Sequence, residues 1–274
     1  MKASNSSFVS RHKAKISGSN GPTLLFAHGF GCDQSVWRSI LPSFEEQYRV
    51  VVFDHAGAGG SDRSAYDSYR HSSLAGYAED VIALCEELMS DRVVMIGHSV
   101  SSMIGALAAI QRPDLFSHLL MIGPSACYVN DGDYLGGFDR PELEQFLDLL
   151  EANFQGWGTA LAMLSMGNRE RPELADALRD RICRTDPVIA GVFARVTFFS
   201  DLRADLPLLM TPTTILQCRD DPISPEAATA FVNANVRDSR LVQVNASGHC
   251  PHISHPDELI QAVRLALEIP AKVD

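Results

Sequence analysis

The stretch Val93-Val94-Met95-Ile96-Gly97-His98-Ser99-Val100-Ser101 limits the choice of fold more than any other in this chain. Four apolar residues make a buried strand, Gly97 and Ser99 make a tight turn, and Met103-Ile104-Gly105-Ala106-Leu107-Ala108-Ala109 continues as a helix of mostly small side chains. A strand that turns sharply into a helix is a building unit of α/β sheets. The turn lifts the serine hydroxyl above the sheet edge, where the helix N-terminus favours developing negative charge. The pattern departs from G-x-S-x-G at its fifth position, which is Ser101. A small side chain is needed where strand and helix approach closely, and serine can meet that need.

The rest of the chain keeps the same rhythm. Apolar, β-branched runs at residues 23–27, 49–53, 92–96, 118–122, 213–217 and 241–244 read as strands, with an antiparallel edge hairpin expected around residues 8–17. Leu74, Tyr77, Ala78, Val81, Ile82, Cys85 and Leu88 recur on one helix face. Ser224-Pro225-Glu226 reads as an N-cap, a first-turn proline and an acidic first turn, and Pro256-Asp257 opens a C-terminal helix. The fold class is therefore α/β, a mostly parallel central sheet with helices on both faces. Residues 124–205 break the alternation with four helical patterns, at 141–154, 158–165, 171–184 and 187–199. They read as a helical cap inserted into a core formed by residues 1–123 and 206–274.

Composition narrows the partners. A net charge of -11 disfavours nucleic acid and anionic membrane surfaces, and no apolar run is long enough to span a bilayer. The first twenty residues are polar, without a hydrophobic signal region. Six scattered cysteines with no C-x-x-C pair point to reduced, buried thiols and a cytoplasmic setting.

A serine needs a base, and the base an orienting acid. Of nine histidines, His249 follows the last strand in Ala246-Ser247-Gly248-His249, at the sheet end where ligands bind. His252 and His255 on the same loop read as structural. The acid belongs to the loop after the preceding strand, where Asp220 and Asp221 compete on equal terms. The chain order Ser, Asp, His fits this fold and not the other common orders of a serine triad. The amide of Val100 and that of Phe30, in Ala27-His28-Gly29-Phe30-Gly31, are the candidate oxyanion donors. Gly248-His249-Cys250-Pro251-His252-Ile253-Ser254-His255 has zinc-like residues, but Pro251 disfavours a regular helix and no second ligand cluster accompanies it. No metal or other cofactor is expected. The glycine-rich Asp54-His55-Ala56-Gly57-Ala58-Gly59-Gly60-Ser61 reads as a tight loop flooring the site.

Taken together, these motifs resemble the α/β-hydrolase superfamily over nearly the whole chain. The closer resemblance is to the RsbQ family of bacterial stress-response regulators and its plant relatives, the karrikin and strigolactone receptors. It is carried by His28-Gly29-Phe30-Gly31-Cys32-Asp33-Gln34-Ser35-Val36-Trp37, Gly97-His98-Ser99-Val100-Ser101, Phe116-Ser117-His118-Leu119, Gly123-Pro124-Ser125, Thr197-Phe198-Phe199-Ser200-Asp201 and Gly248-His249-Cys250-Pro251-His252. The resemblance implies Ser99, Asp221 and His249 as triad, favouring Asp221 because it lies four residues before Pro225. It implies an apolar pocket lined by Phe30, Phe138, Trp157 and Phe198 under a four-helix cap, with Leu161 where the plant receptors would carry an aromatic. It further implies a serine hydrolase of a small hydrophobic ester or lactone, or else a sensor that acts on a partner phosphatase with little turnover.

Overall fold

The computed structural model describes residues 7–88 and 92–268. Seven strands form one sheet: β1 (Lys15–Gly18), β2 (Thr23–Ala27), β3 (Arg49–Val52), β4 (Val93–His98), β5 (Phe116–Ile122), β6 (Thr213–Arg219) and β7 (Ser239–Ser247). Their spatial order is β1-β3-β2-β4-β5-β6-β7. Only β1 runs antiparallel, against β3; all other pairs are parallel. Every residue of β2 is buried, as a strand covered on both faces requires.

The side-chain alternation of β2 divides the core. Leu24 and Phe26 join one apolar layer with Trp37, Ile40 and Phe44. Leu25 and Ala27 face the other, with Val51, Tyr77, Val81 and Ile104. That second layer is closed by α2 (Leu74–Glu87) and α3 (Val100–Gln111). At the N-terminus the expected hairpin gives way to a one-turn helix, α1 (Phe8–Arg11), whose N-cap Ser7 accepts from the Ser10 amide, followed by β1 alone. The strand partner of β1 is β3, so the edge is antiparallel without a hairpin.

Four helices lie between β5 and β6: α4 (Arg140–Ala152), α5 (Phe154–Met166), α6 (Pro172–Ile182) and α7 (Pro187–Phe198). Asn153 caps α5 by accepting from the Gly156 amide, and Asp186 caps α7 through the Val188 and Ile189 amides. After β6 comes α8 (Glu226–Asn235); after β7 come α9 (Pro251–Ser254) and α10 (Pro256–Glu268). Pro225, not Ser224, stands at the N-cap of α8, because the Ser224 hydroxyl donates instead to the Pro124 carbonyl. Among the described residues no helix is long and apolar enough to cross a membrane.

From β2 the chain steps to β3 on one side, then returns to β4 on the other side of β2. That reversal leaves a crevice beyond the C-terminal ends of β2 and β4, the usual ligand position of such a sheet. The His28–Gly31 loop and Ser99 meet there.

Candidate active site

Ser99 sits between β4 and α3 at φ 56° and ψ -124°, a backbone region that ordinary side chains rarely occupy. The turn is tolerable because its neighbours are small. A Cβ on Gly97 would lie 2.6 Å from the Ser101 carbonyl oxygen, and one on Gly29 would lie 2.5 Å from Nδ1 of His98. The Ser99 amide is held by the Ile122 carbonyl at 2.8 Å, which ties the turn to β5.

The serine hydroxyl donates to Nε2 of His249 at 2.8 Å. On the far side of the ring, Nδ1–H donates to Asp221, 2.8 Å from Oδ2 and 3.0 Å from Oδ1. Oδ1 also accepts the amides of Ile223 and Ser224, each at 2.9 Å, so the loop after β6 aims the carboxylate. Asp220 is exposed and takes the left-handed turn at φ 49°; the structure thus separates two aspartates that the residues alone left equal. His249 is fixed through its backbone as well. Its amide donates to the Ser165 carbonyl at 2.8 Å, and its carbonyl accepts Nε2–H of His98 at 2.8 Å.

Val100 is the first residue of α3, whose opening amides lack intrahelical acceptors. The Phe30 amide has no acceptor among the described residues. Both are unspent donors beside Ser99, one at the start of α3 and one on the loop after β2.

A cavity of about 30 Å³ lies over the hydroxyl, room for about one water molecule. Phe30, Tyr128, Leu161, Leu178, Ile182 and Phe198 line it, with Ser99 and His249 at its base. Phe138 and Trp157, expected in the lining, stand one layer behind. The Trp157 ring packs edge-on against Phe30 at 5.8 Å, and the Phe138 ring against Phe198 at 6.1 Å. The four rings pack on one another in two pairs, and only the inner member of each, Phe30 and Phe198, reaches the cavity.

Sequence reading missed Tyr128, whose hydroxyl lies 3.4 Å from the Ser99 hydroxyl, and the aliphatic wall of Leu178 and Ile182. Tyr128 lies in an irregular segment without helix or strand periodicity, so no pattern could flag it. Burial pushes its hydroxyl above the ordinary tyrosine range, which keeps it a neutral donor. Thr197 carries a buried hydroxyl without a partner among the described residues, and it too lines the cavity.

His252 is buried between the rings of Trp37 and His98, at 4.8 and 4.4 Å, and desolvation lowers its pKa to about 3. His255 bonds instead to Ser254 and faces Arg171. Among the described residues no group of three His, Cys, Asp or Glu side chains is arranged to hold a metal ion.

A fold with this switch-point serine has known relatives. Residues 24–262 match the Alpha/beta hydrolase family, and the chain belongs to that family. It is similar to the karrikin insensitive 2 receptor CA of Petunia hybrida, with 38% identity over 250 residues that cover 91% of this chain and 93% of the relative. Strigolactone esterase RMS3 of Pisum sativum is 35% identical over 255 residues, 92% of this chain and 95% of that one. Among solved structures, a hydrolase from Oleispira antarctica superposes with a TM-score of 0.93 at 39% identity, covering 96% of this chain and 97% of its own.

Proposed function

We propose that this protein hydrolyses a small hydrophobic ester or lactone, with Ser99 as nucleophile, His249 as general base and acid, and Asp221 as the group that orients the imidazole. The observation that carries this reading is the unbroken chain of hydrogen bonds, Ser99 to His249 at 2.8 Å and His249 to Asp221 at 2.8 Å. The esterase-named relative and the mostly apolar cavity lining support an ester as substrate.

Each step follows from a named atom. Nε2 of His249 takes the hydroxyl proton as the Ser99 oxygen attacks the carbonyl carbon. The negative charge that develops on the carbonyl oxygen is met by the amides of Phe30 and Val100. Nε2–H then protonates the departing alkoxide, leaving an acyl group on Ser99. Water, deprotonated by the same nitrogen, attacks the acyl carbon and returns the serine. Asp221 keeps the proton on Nδ1 and stabilises the imidazolium formed twice per cycle.

Residues 124–205 serve in this reading as a cap over a core of residues 1–123 and 206–274. Leu161, Leu178 and Ile182 on α5 and α6 supply the aliphatic wall. Six free cysteines, five of them buried, fit a reducing, cytoplasmic setting.

The receptor-named relative and the small size of the cavity favour a second reading of the same site. In it, the triad binds or slowly converts a small apolar ligand, and the cap reports occupancy to a partner phosphatase in the manner of the RsbQ family.

Turnover of a short-chain aryl ester by wild type, Asp221→Asn and Asp220→Asn tests the assignment. Asp221→Asn is expected to lower kcat by about 10⁴-fold, and Asp220→Asn by less than about threefold. Equal activity of the two variants contradicts it.

A further inference from the structure

Ser101 takes no part in the bond chain from Ser99 to Asp221, yet it is fully buried and its hydroxyl is used twice. It donates to the His28 carbonyl at 2.5 Å and accepts Nε2–H of His55 at 2.7 Å. His28 is used from both ring nitrogens: Nε2 accepts the His55 amide at 3.2 Å, and Nδ1–H donates to the Gly29 carbonyl at 2.9 Å. One proton per ring satisfies every one of these bonds. Desolvation lowers the pKa of both imidazoles, so both stay neutral in these tautomers.

The consequence lies in the peptide that follows. Gly29 C=O and Phe30 N–H belong to one rigid trans unit and point in opposite directions. The Gly29 oxygen is drawn back by His28 Nδ1–H and by the Cys32 amide at 3.3 Å. The preceding peptide is pinned through the His28 oxygen on Ser101. Two successive peptides are therefore anchored from behind, and the Phe30 amide, which has no acceptor among the described residues, is turned the other way. Ser101 is two residues from Ser99 on α3, so the same elbow that presents the nucleophile anchors the oxyanion loop.

We propose that Ser101, His28 and His55 form a positioning network that fixes the direction of the Phe30 amide, so that the fifth residue of the elbow acts on catalysis through the oxyanion loop. This rests on the reading of Phe30 N–H as an oxyanion donor. A ground-state ester carries little charge on its carbonyl oxygen, whereas the tetrahedral intermediate carries a full one. Misdirecting the amide therefore weakens the second far more than the first.

The test compares wild type, Ser101→Ala and Ser99→Ala on p-nitrophenyl acetate, with phenylboronic acid as a tetrahedral mimic and a thermal melt to count folded protein. Ser101→Ala is expected to lose roughly 10- to 100-fold in kcat, with KM within about threefold and boronate affinity weakened by the same factor as kcat. His55→Phe is expected to lose kcat in the same pattern, while His55→Gln, which still offers an N–H to Ser101, retains more. Wild-type kcat and boronate affinity in Ser101→Ala overturn the proposal, as does a loss that only follows the folded fraction. If Ser101→Ala does not fold, the His55 pair decides, and equal kcat for Phe, Gln and wild type overturns it. Full activity in Ser99→Ala is a different failure, because it removes the serine mechanism that gives the amide its task.

Discussion

The two sides of the site are built from different materials. The sheet side fixes its groups with hydrogen bonds at the ends of strands: Ser99 after β4, Asp221 after β6, His249 after β7 and the Phe30 loop after β2. The helical side, residues 124–205, meets the cavity mainly through Leu161, Leu178, Ile182 and Phe198, which give shape without direction, with the hydroxyls of Tyr128, Ser165 and Thr197 set among them. Histidine makes the contrast plain. All nine histidines lie outside residues 124–205. In the proposed reading the sheet supplies the chemistry, and the helices supply most of the wall that a ligand would meet. A bonded wall loses its geometry when one partner is removed, whereas an aliphatic wall can repack.

Acid breaks this contrast most severely. Burial lowers the pKa of His12, His28, His55 and His98, of His118 to about 4 and of His252 to about 3, in each case from an ordinary value of 6.5. Above that value both folded and unfolded chains hold these rings neutral. As the pH falls below it, the unfolded chain takes up protons that the folded chain refuses. Stability is therefore present above about pH 6.5 and is lost on acidification, with a slope from each ring that lasts until its own folded-state pKa is reached. For His118 the slope ends near pH 4, and for His252 near pH 3. Urea melts between pH 7.5 and 4.5 are expected to give steadily falling midpoints. Hydrogen exchange should accelerate in β4 and the loops around it, with midpoints independent of pH contradicting this division of labour.

A smaller effect belongs to the helical wall. Ile182→Ala removes a side chain that lies against both the cavity and the loop at Gly31, where a Cβ would come 2.6 Å from Cγ1 of Ile182. Truncation is expected to cost about 2–4 kcal/mol of stability. It is also expected to raise kcat/KM for a butyrate over an acetate aryl ester about tenfold, against the wild-type ratio. An unchanged ratio would place acyl selection elsewhere.

How much of this was written in the sequence follows the same line. The central strands β2 to β6 were legible from apolar β-branched runs, because a strand buried on both faces needs little else. Ser99 and His249 were legible because each sits in a short local motif at a strand end. Asp221 and Asp220 were not separable by composition; what divides them is one left-handed turn at Asp220 and two amides that capture the Asp221 carboxylate. The N-terminal hairpin was misread because a one-turn helix capped by Ser7 is too short for periodicity to register. Trp157 and Phe138 look like pocket residues by type, but their rings pack behind Phe30 and Phe198, a choice made by tertiary packing. Tyr128, Leu178 and Ile182 reach the cavity only through the placement of whole segments. The partnership of Ser101 with His55 joins residues 46 positions apart and has no local signature.

The central claim is that Ser99 is the nucleophile, and covalent trapping tests it most directly. Wild type and Ser99→Ala would each be treated with an organophosphonate ester, followed by intact mass measurement, peptide mapping and aryl ester turnover. One adduct on Ser99 in wild type is expected, with no adduct in Ser99→Ala and turnover lowered by about 10⁴-fold or more. An adduct on another residue, or a folded Ser99→Ala that still turns over the ester at the wild-type rate, would contradict it.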